Sequence, residues 1–358
     1  MTPPLKLFWK QNVGANFKNE IIEHNDLVFV CSDTLKVYES DGDFYWEFKT
    51  ETPTTTTAFV TDNTVIIGCE DGKIIGIDIP SHMASWEIES NGKIAQGICG
   101  TDDYCYIANS YGTLFKLIPD TGTKIFQTML DAPLSFGPVL SEYGLIIGDD
   151  DGNLYGLDSE SGSKKWSSSV ADSRIGGILL DEDKVFFGSY DNKVYCVGIE
   201  NGEKLWETRV NGWIEKTPVI VRDKLFVKVR ETMLTSFDPE TGESLWSKET
   251  QPSSSELLVC DDIIYFGDNR RLSSISSAYI IQQYFEFSEE QITSISLIGD
   301  KIYLGLSVGF SDVGRIACMI PDGSIRVSPQ VVEETISTTD ENPEITITVS
   351  NTKDDMVG

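Results

Sequence analysis

Few residues in this chain could do covalent chemistry. Only His24 and His82 occur among 358 residues, so a histidine-rich metal site, a Ser-His-Asp triad or a Cys-His pair has almost nothing to be built from, and both histidines read as surface residues. The cysteines, Cys31, Cys69, Cys99, Cys105, Cys196, Cys260 and Cys318, are odd in number and lack CxxC spacing. Several lie in apolar runs such as Val28-Phe29-Val30-Cys31, which predicts reduced, buried thiols. Asp149-Asp150-Asp151-Gly152 has the composition of a calcium loop, but its carboxylates are too closely spaced for one. Glu70-Asp71-Gly72 and Tyr190-Asp191-Asn192 occupy the same phase elsewhere in the chain, so the acids are expected to shape hairpin turns. No GxGxxG, P-loop or HExxH arrangement is present.

Groups suited to binding are more evident. From Lys204 to Arg230 seven cations (Lys204, Arg209, Lys216, Arg222, Lys224, Lys228, Arg230) face three acids (Glu207, Glu215, Asp223), a local excess of +4 in a chain of net charge −29. Within this stretch Trp213 sits in Asn211-Gly212-Trp213-Ile214-Glu215-Lys216, out of phase with the other tryptophans. A large aromatic placed in a loop is a frequent mark of recognition. The candidate binding face comprises Trp213, Arg174, Arg209, Lys216, Arg230, Arg270, Arg271, Tyr111 and Tyr190, where the cations would focus an anionic group.

What holds such residues in place is a repeat. Trp46, Trp86, Phe126, Trp166, Trp206 and Trp246 follow one another at intervals of 40 residues. The clearest copy runs Asp151-Gly152-Asn153-Leu154-Tyr155-Gly156-Leu157-Asp158-Ser159-Glu160-Ser161-Gly162-Ser163-Lys164-Lys165-Trp166. Its Asp-Gly pair supplies a tight turn, the next residues alternate with period two, and Glu160-Ser161-Gly162 forms a second turn. Gly122, Gly162, Gly202 and Gly242 all precede the aromatic by four residues, as a left-handed turn position requires. Two further apolar runs, such as Gly177-Ile178-Leu179-Leu180 and Lys184-Val185-Phe186-Phe187-Gly188, complete each copy, giving four strands per repeat.

This pattern resembles the repeat of the PQQ-like propellers, shared by quinoprotein dehydrogenases, outer-membrane assembly lipoproteins and many binding proteins. The resemblance implies an all-β fold, a β-propeller of eight four-stranded blades, with seven as the alternative, closed by the N-terminal strand. Residues 111 to 246 carry the signature, whereas blades seven and eight keep only strand spacing. For the closing place two segments compete, Leu5 to Lys10 with Trp9 as its aromatic, and Ser324 to Ser328. The face carrying the links between blades and the turns between second and third strands would hold the candidate residues. The family's enzymes carry adjacent cysteines beneath their quinone, and no two cysteines are adjacent here. The resemblance therefore implies no cofactor for this chain.

An excess of 57 acids over 28 bases repels phosphate backbones and anionic lipid, so nucleic acid and membrane are excluded as partners and another protein is expected. No apolar run reaches the length of a membrane span. Met1 to Trp9 lacks the order of a secretory signal and Trp9 already looks like a repeat anchor, so a cytoplasmic protein without a cleaved leader is expected. Residues 1–330 are assigned to the propeller and 331–358 to an acidic tail, in which Ile345-Thr346-Ile347-Thr348-Val349 alternates like a strand. The sequence reads as a non-catalytic, intracellular interaction scaffold. The alternative is a protein binding a small anionic ligand at the channel mouth, or a divergent PQQ-like enzyme.

Overall fold

A computed structural model describes residues 5–15, 17, 19–260, 262–276, 278–279, 281–308 and 313–321. The chain divides into two units, Met1–Ile325 and Arg326–Gly358, and everything described lies in the first. The acidic tail, its alternating segment 345–349 and the competing strand at 324–328 lie outside the described residues.

Eight four-stranded antiparallel sheets form an eight-bladed β-propeller, with no helix among the described residues. Blades 1 to 7 occupy residues 22–48, 59–89, 99–129, 139–169, 175–209, 219–249 and 258–286, each a simple meander from the innermost strand outward. Blade 8 takes Glu290–Ile298, Lys301–Val308 and Gly314–Pro321 and receives Leu5–Gly14 as its outer strand. Second and third strands are apolar on both faces because each blade is covered on both sides; Lys184–Ser189 is buried from Val185 onward. Outer strands alternate exposed and half-buried positions, as in Lys164–Ser169.

The recurring aromatic joins one blade to the next. Trp86, Trp166 and Trp206 donate Nε1 hydrogen bonds of 2.8, 3.1 and 2.9 Å to Pro119, Ile199 and Pro239 carbonyls of the following blade. Their indoles lie on Gly122, Gly202 and Gly242, whose φ angles of 64°, 68° and 71° and lack of space suit glycine: a Cβ there would come within 2.5 Å of the ring. Trp9 does the same across the closure, donating to Ser40 at 3.1 Å and covering Gly42. Where blade 2 lacks its glycine, His82 takes φ 59° and stacks on Trp46 at 4.7 Å and 9°. His82 is thus a half-buried docking residue rather than a surface one, while His24 pairs with Asp62 at 3.1 Å. Tyr279, at φ 63°, replaces the glycine in blade 7 and stacks on Trp246 at 4.9 Å.

A register shift just before the aromatic recurs in the outer-strand pairing. In blade 4 Gly156 pairs with Trp166 but Leu157 pairs with Lys164, leaving Lys165 bulged. The bulge turns the tryptophan toward the neighbouring blade and its predecessor outward. Tyr45, Ile125, Leu205, Leu245 and Phe8 occupy this bulged place and are exposed.

Closure rests on hydrogen bonding along Leu5–Gly14 and on a buried charge. Glu290, 3% exposed, accepts from Lys10 of the N-terminal strand at 2.6 Å and from Arg315 of the third strand. Burial raises its carboxyl, but the bonds from Lys10 and Arg315 outweigh this and hold it below its ordinary 4.5.

Two outcomes follow from these contacts. Gly202→Ala is expected to cost about 2 kcal/mol, from positive φ and from collision with Trp166, as read in urea unfolding. Glu290→Ala should cost about 2–3 kcal/mol, less than a fully enclosed pair because Lys10 and Arg315 keep 32% and 33% of their surface in solvent. Because the folded pKa lies below the unfolded one, the native carboxylate contributes fully above about pH 5 and less as pH falls through the folded value, and the variant should flatten that acid limb.

Candidate functional site

On the face formed by the inter-blade links and the second-to-third-strand turns, three candidate residues form one stack. Arg174 lies in the link entering blade 5, Tyr190 in that blade's turn and Trp213 in the link leaving it. The indole of Trp213 stacks on Tyr190 at 5.6 Å and 18°. The Arg174 guanidinium sits 5.1 Å from the Tyr190 ring and 5.1 Å from that of Phe136. Tyr190 donates its hydroxyl to Glu215 at 2.9 Å, and burial together with this carboxylate pushes the phenol up to about 12. Arg174 Nε lies 3.5 Å from Asp150 and is buried without a hydrogen bond, and its terminal nitrogens have no partner among the described residues.

Arg230 extends this cluster. Its N–H donates to the Trp213 carbonyl at 2.8 Å, and its exposed side chain lies along Gly212, where a Cβ would come within 2.3 Å of it. Arg230 and the exposed Arg209, at the end of the outer strand Lys204–Arg209, have no carboxylate partner among the described residues.

The other candidates stand apart from the stack. Lys216 is buried and pairs with Glu256 at 3.0 Å and Glu215 at 4.0 Å. Arg270 and Arg271 share Glu286, at 3.7 and 3.3 Å, on blade 7. Tyr111 is exposed on the blade 3 turn, its ring against Gly92. Much of the local positive excess is likewise matched: Lys204 binds Glu207 at 2.6 Å and Arg222 binds Asp262 at 2.8 Å. Beside the stack a hollow of roughly 640 Å³ opens over blades 1 to 4, with Arg174, Lys93, Glu70 and Asp33 in its wall.

Asp149 is wholly buried and fully engaged. Its Oδ1 accepts from the Asp151 and Asn153 N–H groups at 3.0 and 2.8 Å, and its Oδ2 accepts from Asn153 Nδ2 and Tyr155 Oη at 2.8 Å each. Asn109 plays the same part in blade 3. Among the described residues no group of three His, Cys, Asp or Glu side chains is placed to hold a metal ion.

Sequence reading singled out neither Phe136, Asp150 and Glu215 as members of the stack nor Lys228 as an unusual group. Lys228 is 2% exposed in the second strand of blade 6, with one hydrogen bond, 3.2 Å to the Ser255 carbonyl. At the 40-residue pitch its counterparts are Gly68, Ala108, Gly148 and Gly188, so the pitch itself carried the signal. Gly68, Gly148 and Gly188 are covered by Ile94, Ile175 and Ile214, whereas the link beside Lys228 reads Ser253-Ser254-Ser255. Burial, then nearby Lys216, push its ammonium down to about 8.

Comparison with known proteins gives a consistent result. A family profile described as outer membrane protein assembly factor BamB matches residues 6–101, 70–175 and 172–279. Among solved structures, BamB from Moraxella catarrhalis superposes with a TM-score of 0.74 at 17% identity, covering 87% of this chain and 99% of that one. The computationally designed Ika8 protein superposes at 0.72 and 13% identity, covering 85% of this chain and 97% of its own. Both likenesses concern the fold. No curated protein sequence matches the chain significantly.

Lys228 supplies a stability test. Its folded value of about 8 lies below the ordinary 10.5, so the protonated amine is disfavoured in the folded state and stability should rise as pH goes from about 8 to 10.5. Lys228→Met is expected to remove that rise and to raise the melting temperature at pH 7 by about 2 °C, measured by calorimetry across the pH range.

Proposed function

Because this chain belongs to the PQQ-repeat propeller family described by the assembly factor BamB, we propose that it is a non-catalytic binding propeller whose link-and-turn face engages another protein. The observation that carries this reading is the stack of Trp213, Tyr190 and Arg174, continued by the exposed Arg230. Tryptophan, tyrosine and arginine are the residues that dominate binding energy at protein interfaces. Their rings and guanidinium are already immobilised against one another, so little side-chain entropy is left to lose on binding. The unpartnered terminal nitrogens of Arg174 offer a planar fork to a carboxylate of the partner.

The reading extends to a reducing compartment, the cytoplasm. Cys31, Cys69, Cys99, Cys105, Cys196 and Cys318 form no disulfide, and burial raises the first five to about 12, which suits inert core thiols rather than exchange chemistry. The net charge of −29 favours a partner surface with a basic rim around an acidic anchor.

Trp213→Ala and Arg230→Ala are expected to weaken the affinity of a co-purifying partner by more than about tenfold each, with unchanged melting temperature. Surface plasmon resonance against that partner is the measurement. Equal affinity in both variants would remove this face from the interaction.

A further inference from the structure

A second hollow, of roughly 520 Å³, lies on the same face on the far side of the ring, at the turns of blades 6 and 7, the link between them and the strand ends of blade 8. That size is within the usual range of small-ligand sites, roughly 300–1,000 Å³. Its wall is polar but almost uncharged, which sets it apart in so acidic a protein. Ser253, Ser254 and Thr293 donate to the Ile292, Thr293 and Phe17 carbonyls at 2.9, 3.4 and 2.8 Å, tying the wall together; Ser253 Oγ also accepts the Ser255 N–H at 3.3 Å, so the open acceptors are the Ser254 and Thr293 hydroxyls.

Four further groups at this hollow make no hydrogen bond among the described residues, and two of them are buried. Ser307 is 8% exposed, and its hydroxyl has no hydrogen-bond partner among the described residues. Asn269 Oδ1 is buried without a partner, although the Asn269 backbone is fixed at φ 60° with its carbonyl accepting the Ile292 N–H at 2.8 Å. Neither the Gln291 amide nor the Glu231 carboxylate has a hydrogen bond or ion pair among the described residues. Ser307 and Asn269 Oδ1 are buried, where an unmet polar group is costly, whereas Gln291 is exposed and Glu231 half-buried, so that water meets them until a ligand displaces it.

We propose that this hollow binds an uncharged polyhydroxylated ligand, a sugar of mono- or disaccharide size. Serine, threonine, asparagine and glutamine side chains each donate and accept, and the groups that complement such a wall are those that also do both, namely hydroxyls. Glu231 adds a carboxylate able to accept from two neighbouring hydroxyls. An anion is disfavoured by that unpaired carboxylate and by the charge of −29. An amine could use the acceptors of this wall but would leave its donors, the Ser307 hydroxyl and the Gln291 amide, unmet, and Lys228 already sits within electrostatic reach of Glu231. The exposed Pro252 supplies the apolar surface against which the carbon face of a sugar ring can lie.

Isothermal titration of the full chain with glucose, N-acetylglucosamine, maltose, trehalose and myo-inositol tests the assignment, with glucuronate and spermidine as charged controls. At least one neutral probe is expected to bind at one site below about 50 mM, well within reach of a few neutral hydrogen bonds. Ser307→Val and Glu231→Gln should each weaken it by about tenfold with unchanged melting temperature, while Trp213→Ala should leave it unaltered. Absence of binding by every neutral probe, tighter binding of glucuronate or spermidine, or binding indifferent to both pocket substitutions would overturn the proposal. The outcome is independent of whether the Trp213 face binds a protein.

Discussion

An aromatic ring lying on a left-handed turn of the next blade is the contact on which this molecule depends. A single blade cannot cover both of its apolar faces, so it is stable only against neighbours. The indole supplies area, and its N–H satisfies a carbonyl that would otherwise be stranded at the rim, as Trp166 does for Ile199. The turn beneath must come close enough to be touched, and that demands glycine or a residue that tolerates positive φ. His82 and Tyr279 show the second solution, in which ring stacks on ring and the backbone strain is retained. Blade 1 bears a cost for it, since Trp46 Nε1 is buried without an acceptor.

The scarce cations are used at the same seams. Lys116, 1% exposed on its side chain, leaves blade 3 to meet Glu160 of blade 4 at 2.9 Å and lies 4.1 Å from the Tyr104 ring. Lys184 of blade 5 meets Glu240 of blade 6, and Arg222 and Lys216 of blade 6 meet Asp262 and Glu256 of blade 7. With 57 acids to 28 bases, pairing at the seams leaves carboxylates in surplus on the outside. Of the cations in the positive segment 204–230 only Lys216 and Lys228 are buried, Lys204 and Arg222 are exposed but paired with carboxylates, and Arg209 and Arg230 are exposed without one among the described residues. Exposed pairs of this kind contribute little individually, so the seams are held chiefly by packing.

Most of the architecture was legible because the docking contact is periodic in sequence. A tryptophan and the glycine it covers are separated by 36 residues, and a pitch of 40 prints that relation repeatedly, as with Trp166 and Gly202. The closure was half legible: Trp9 announced itself, and its pairing with Cys318 and the bond to Ser40 show what it closes. Less could be read of the site. Trp213, Tyr190 and Arg174 were each singled out, but that they stack on one another, with Phe136, Asp150 and Glu215 around them, was not, because stacking across a link leaves no periodic trace. Lys228 lay in plain view at a glycine position, and only the serine-rich link opposite it explains how an ammonium fits there. His82 misled because the loss of a glycine looks like the loss of a contact, whereas the contact was exchanged for another.

The extra residue ahead of each docking aromatic has one more effect. It leaves Phe8, Tyr45, Ile125, Leu205 and Leu245 pointing outward along strands whose far edges carry unpaired backbone groups, a combination that invites polymerisation. The same extra residue kinks those margins, at the second residue of Phe44–Phe48, Lys124–Met129, Lys204–Arg209 and Ser244–Glu249, so a foreign strand can be laid flush only along the few residues beyond it. Apolar rims and a closed ring can thus coexist, and deleting one residue ahead of the tryptophan would straighten the margin and open it to strand addition.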